Sequence, residues 1–141
     1  MKLAVGYQLA EEGEEPLVGV VRDYLPHVAE VYFAWPGMAS GRAAVGVARG
    51  GVDWTAQRRL EDDLRALRGM GVGLDLLLNA NCYGGRAVSA HLENEVGSLL
   101  EHLEQVAGGA DVVTTASPFV ARAVKAHFPR VRTRASVNMR V

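Results

Sequence analysis

Residues 74–85 read LDLLLNANCYGG. A nearly unbroken aliphatic run changes at Leu78 into Asn79, Asn81, Cys82 and Tyr83, followed by Gly84 and Gly85. A short apolar run bounded by glycines is the pattern of a fully buried strand, and its polar end marks where such a strand leaves a core. The segment VGLDLLLNA, residues 72–80, is therefore expected to be a strand.

Helical patterns flank it on both sides. On the amino-terminal side, WTAQRRLEDDLRALRGMG follows Asp53, a good N-cap, and sets Leu60, Leu64 and Leu67 on one stripe. Gly69, Gly71 and Gly73 precede the strand, as a helix C-cap requires, and do not follow it, as a dinucleotide site would. Beyond the strand, Val96, Leu99, Leu100, Leu103 and Val106 form a second stripe. Further strands are expected at KLAVGYQL (2–9), AEVYFAW (29–35), ADVVTTAS (110–117) and VRTRASVNMRV (131–141). A helix after Pro16 would carry Leu17, Val20, Val21 and Tyr24 on one face and end at Pro26. Another would carry Phe119, Val120, Ala123, Val124 and Phe128 and stop at Pro129. Residues 36–52 read as one long loop with five glycines.

The order is βαβαβαβαβ in a single domain, residues 1–141. Strict alternation with aliphatic strands predicts a parallel sheet with right-handed crossovers. Two architectures fit: the amino-terminal half of an eight-stranded TIM-type barrel, which needs about 250 residues when whole, or a five-stranded doubly wound sheet. The strands end in Tyr7 and Gln8, Trp35, Asn79 and Asn81, Ser117, and Ser136 and Asn138. Polar or aromatic ends on all five suggest a ring-shaped mouth, which favours the incomplete barrel. Such a half has two open strand edges, so a homo-oligomer or a second barrel half is the expected partner. The stop directly after the last strand has the look of a truncation.

Composition bounds the function. With 15 Lys and Arg against 16 Asp and Glu, formal net charge is −1, and no basic stripe suggests nucleic acid. No apolar run nears the roughly 18 residues of a membrane span. The single cysteine excludes an internal disulfide framework and any four-cysteine metal site in this chain, and fits the cytoplasm. The four histidines, His27, His91, His102 and His127, form no metal-ligand spacing, and Glu61 to Arg65 is an ordinary i,i+4 helix pair. No metal is expected.

The candidate substrate-binding residues are Asn79, Asn81, Cys82, Ser136, Asn138, Trp35 and Arg42. Asn79 and Asn81 share one side of their strand and each offers an acceptor and a donor to a peptide, carboxylate or phosphate; equally, they would satisfy loop backbone groups. Cys82 is a nucleophile only if its pKa is lowered, and otherwise packs as a small hydrophobe. Trp35 could line a pocket and Arg42 reach an anion from the long loop. Ser136, Asn138 and Arg140 alternate on one side of the last strand. Gly84, Gly85 and Arg86 allow a weaker reading as a phosphate loop, without a Walker lysine.

Four segments together, VGYQL (5–9), EVYFAWPGMASGR (30–42), LLLNANCYGG (76–85) and AHFPRVRTRASVNMRV (126–141), resemble the collagenase-like proteins, the peptidase family 32 of unknown catalytic type. The last segment carries most of the resemblance, in its HFP turn and ASVNM strand. What it implies is a barrel whose second half is absent here. It also implies activity as a peptidase or in iron–sulfur-dependent hydroxylation, with the cluster cysteines in that second half and no cofactor in this one. Asn79, Asn81, Cys82, Ser136 and Asn138 would be mouth residues. The expected ligand is a peptide or small molecule. A non-catalytic binding or assembly half-barrel is the alternative.

Overall fold

A computed structural model describes the chain except for residues 39, 41–46, 49–50, 81–82, 138 and 140–141, with the backbone alone at 47, 48, 51, 52 and 86. The elements in chain order are β1 (Leu3–Gly6), α1 (Leu17–Asp23), a 3-10 turn (Leu25–His27), β2 (Val28–Ala34), β3 (Val47–Ala48), β4 (Gly51–Val52), α2 (Trp54–Gly69), β5 (Gly73–Leu78), a 3-10 turn (Gly84–Arg86), α3 (Ala90–Ala107), β6 (Val112–Thr115), α4 (Pro118–His127) and β7 (Arg132–Ala135).

Five strands make one parallel sheet in the order β1-β2-β5-β6-β7. The order never reverses. A doubly wound sheet reverses at a switch point and carries helices on both faces. Here α1 packs on α2, α2 on α3 and α3 on α4, a single layer in chain order. That is the plan of half a barrel, and the doubly wound alternative does not describe it. The segment 36–52 is not loop throughout: β3 and β4 pair antiparallel within it, Val47 with Val52 and Ala48 with Gly51.

The helices form where capping and periodicity agree. Asp53 caps α2, its carboxylate accepting the N–H groups of Thr55 and Ala56. Leu60, Leu64 and Leu67 are fully buried below. At the other end, Val72 N–H donates to Leu67 O at 3.1 Å and Gly71 N–H to Arg68 O at 3.0 Å, a Schellman closure in which Gly71 takes φ +78°. Ser89 caps α3 through Leu92 N–H, and Ser117 caps α4 through Val120 N–H. On α1 the expected face is rotated: Val18 and Val21 are buried, whereas Val20 and Tyr24 are 38% and 61% exposed. The helix is short, and Tyr24 already lies beyond its end, so the i,i+7 spacing placed it wrongly.

The core lies between this helix layer and the sheet. Val31, Phe33 and Trp35 from β2 and its end, Leu74, Leu76 and Leu78 from β5, and Val113 from β6 meet the helix stripes there. Below the sheet, at the strands' amino ends, Arg68 ties α2 to its neighbours. Its guanidinium donates to Ala107 O at 3.1 Å, to Asp111 Oδ1 at 3.1 Å and to Gly109 O. Asp111 Oδ2 in turn accepts Leu74 N–H at 2.8 Å. This end of the half-barrel is a brace, as the amino-terminal face of such folds generally is.

Candidate functional site

Besides the brace at the strands' amino ends, two polar regions among the described residues lie outside the helix-side core. The first is the rim at the carboxyl ends of the strands. Ser40 Oγ–H donates to Asn79 Oδ1 at 2.9 Å, joining the segment after β2 to the end of β5. Tyr83 donates its phenol to Leu78 O at 2.6 Å; burial raises its pKa, against a hydrogen bond with Thr115 that lowers it. Ser136 is buried, its N–H donating to Thr115 O at 2.9 Å. Asn79, Tyr83 and Ser136 are thus anchored to the ends of two adjacent strands, β5 and β6.

The remaining expected rim residues fall elsewhere. Trp35 is 7% exposed within the helix-side core, its ring edge-on to His102 with centroids 5.6 Å apart. It shares strand parity with Val31 and Phe33, which face the helices, so it does not line the mouth. Ser117 caps α4 and so has its hydroxyl engaged. Ser136 does not alternate within a strand: β7 ends at Ala135, and Ser136 O accepts Met139 N–H at 2.9 Å in a turn. Arg42, Asn81, Cys82 and Asn138 lie outside the described residues. Gly84 and Gly85 form their own 3-10 turn, and the next helix begins only at Ala90 with Ser89 as its cap.

One helix charge pair differs from expectation. His102 Nε2 lies 2.6 Å from Glu61 Oε1, so Glu61 pairs across helices and not with Arg65, which takes Asp62 at 2.5 Å. His91 pairs with Glu95 at 3.1 Å and His127 with Glu93 at 2.9 Å. On β1's end, buried Tyr7 donates to Asp63 at 2.6 Å, and burial with that contact raises its pKa.

The second polar region was not anticipated. It sits on the sheet face away from the helices, one layer below the rim. Arg134 of β7 donates through Nη1 to Glu30 Oε1 at 2.5 Å and to Asp75 Oδ2 at 3.2 Å, and through Nη2 to Glu30 Oε2 at 3.2 Å. Thr114 of β6 donates to Asp75, with Oδ1 at 2.8 Å and Oδ2 at 2.9 Å. Four strands meet in one cluster. On a flat sheet β2 and β7 would stand about 14 Å apart, three strand spacings. The direct Arg134–Glu30 pair therefore requires the sheet to curl, and this face is its concave side. Burial raises the Asp75 pKa to about 6 against the lowering contacts of Thr114 and Arg134, while Glu30 adds to the rise. Arg134 is held protonated more firmly than usual, first by its bond to Glu30.

Fold and polar concave face together define an α/β half-barrel. No family model matches the sequence, and no curated protein matches it. Among solved structures, that of the U32 peptidase Mk0906 is similar, with a TM-score of 0.64 at 15% sequence identity. The alignment covers 100% of this chain and 51% of that one; the chain spans about half the length of that protein. The likeness is one of fold. No helix among the described residues is long and apolar enough to cross a membrane.

Proposed function

We propose that this chain is a barrel half of a peptidase-like protein, which binds a peptide at the rim around Asn79 and Ser136 and completes its barrel with a second half or second copy before it acts. The observation that carries this reading is the sheet itself. Its helices line one face only, and β1 and β7 each pair with a single neighbour among the described residues. An open parallel edge favours another strand, and the U32 peptidase to which the fold is similar has about as much chain again. Any four-cysteine iron–sulfur set would come from that other half, because Cys82 is the one cysteine here. The cytoplasm suits such a protein.

Sedimentation equilibrium from micromolar to submillimolar concentration tests the pairing, read beside release of dye from labelled gelatin. Concentration-dependent association with cleavage confined to the associated form is the expected outcome. A chain that stays monomeric throughout and melts cooperatively would sink the proposal. Association without cleavage would select the non-catalytic assembly module, and its partner would then be the object of search.

A further inference from the structure

The concave-face cluster has a feature that the rim reading does not use. A guanidinium carries five N–H donors. In Arg134, Nη1 gives one to Glu30 and one to Asp75, and Nη2 gives one to Glu30. The Nε–H and the second Nη2–H have no partner among the described residues. These two lie along the same edge of the planar group, parallel, at the spacing that matches two carboxylate oxygens. The exposures agree: the Arg134 side chain is 46% exposed, while Glu30 and Asp75 are 14% and 4% exposed. The acids are covered and fix the guanidinium plane, while nearly half of the Arg134 side chain stays open to solvent.

We propose that this free edge of Arg134 is a carboxylate-binding site, taking a ligand carboxylate in a two-point contact on the concave face, with Asp75 gaining a proton as the ligand binds. The proton follows from charge. Two acids and one arginine already leave the cluster with an excess negative charge, and a third carboxylate without a proton would be repelled. Glu30 is held by both of its oxygens to Arg134. Asp75 makes the longer contact, and its burial favours the neutral form. Around these groups the concave face offers Tyr32, in register with Asp75 on β2, and Arg132, two residues before Arg134; β1 contributes Ala4 and Gly6, which carry no charge, and Thr114 keeps its hydrogen bond to Asp75 in either state. Glu30, Asp75, Thr114 and Arg134 all come from this chain, so the site exists before any second half joins.

Calorimetric titration of the chain tests it with three probes: N-acetyltriglycine, the same peptide as its carboxy-terminal amide, and acetate. The acid is expected to bind and the amide not. Binding should weaken on the order of tenfold per pH unit above about 6, as linkage to one proton requires, with proton uptake read from the dependence of heat on buffer. Asp75→Asn should still bind the acid but lose that pH slope. Arg134→Lys keeps the charge without the two-point edge and should weaken binding at least tenfold. Acetate matching the peptide assigns a free small carboxylate as the ligand; a tighter peptide assigns a chain terminus. An amide that binds as well as the acid, or a wild-type affinity flat from pH 5.5 to 7.5, would overturn the proposal.

Discussion

The two faces of one sheet are built on different rules. On the helix side, Leu74, Leu76 and Leu78 of β5 meet Leu60, Leu64 and Leu67 of α2, and every contact is apolar and replaceable in kind. On the concave side of the same strand, Asp75 is nearly as buried as those leucines, 3% exposed, and is held by a threonine and an arginine from the next two strands. The first face is stabilised by area and packing. The second depends on a small set of groups that must all be present, since a buried charge without its partner is costly. The first should therefore respond to volume and be indifferent to pH, and the second the reverse.

The largest expected effect is on the helix side. Leu64→Ala removes a side chain with no exposed surface and should cost about 3 kcal/mol, as large-to-small core changes do. The urea midpoint should shift by the same amount at pH 4 and pH 7. A loss that varied with pH would mean that the two faces are not independent.

Next is the concave side. The carboxyl of Asp75 has its folded pKa raised from 3.8 to about 6. A raised acid favours the folded state while it is protonated. That contribution is complete below 3.8 and is lost as pH rises through about 6. Two units correspond to about 2–3 kcal/mol. Asp75→Asn stays neutral throughout, so relative to wild type it should gain roughly that much between pH 3.5 and pH 7. Paired urea titrations at the two pH values measure it, and the difference cancels the other carboxylates. Parallel pH profiles would show that Asp75 is solvated in the folded state.

These faces were unequally legible in the sequence. Helix-side contacts follow from local periodicity: Leu60, Leu64 and Leu67 repeat at helical spacing, and Asp53 announces the cap beneath them. The parallel alternation was likewise readable from element order, which left the half-barrel and the doubly wound sheet both open; only the polar strand ends favoured the barrel. The concave cluster is not local. Glu30 and Arg134 are 104 residues apart and Asp75 and Arg134 are 59 apart; no window contains them. The signal that was present is Asp75 itself, a charge between leucines in an apolar strand, which demands a distant partner. Trp35 misled for a different reason. Its neighbour Pro36 suggests a loop mouth, but counting by twos from Val31 and Phe33 sends its ring to the helices. At β7, alternation was carried past the strand's end, and the Ser136 turn cut it short.

A smaller effect probes the junction between helix and sheet. Gly71 has φ +78°, and a Cβ added there would meet nothing within 4 Å. Gly71→Ala should thus cost only the backbone penalty, about 1–2 kcal/mol, without disturbing either face. A thermal melt with unchanged cooperativity and a lower midpoint is the expected record.

The smallest effect belongs to the rim, and its smallness is informative. Ser40 and Asn79 share one neutral, part-buried hydrogen bond at 2.9 Å. A bond of that kind contributes about 1 kcal/mol or less, so Ser40→Ala should leave the melting midpoint nearly in place. Its removal takes the Ser40 hydroxyl away from Asn79 Oδ1. If the rim binds peptide, the change should appear in binding or in gelatin cleavage by the associated form, out of proportion to the change in stability. If the bond only fastens a loop, stability and binding should move together and slightly. The same substitution measured both ways thus separates a rim that recognises a ligand from one that merely closes the end of a half-barrel, a distinction that neither the helix-side leucines nor the concave cluster can make.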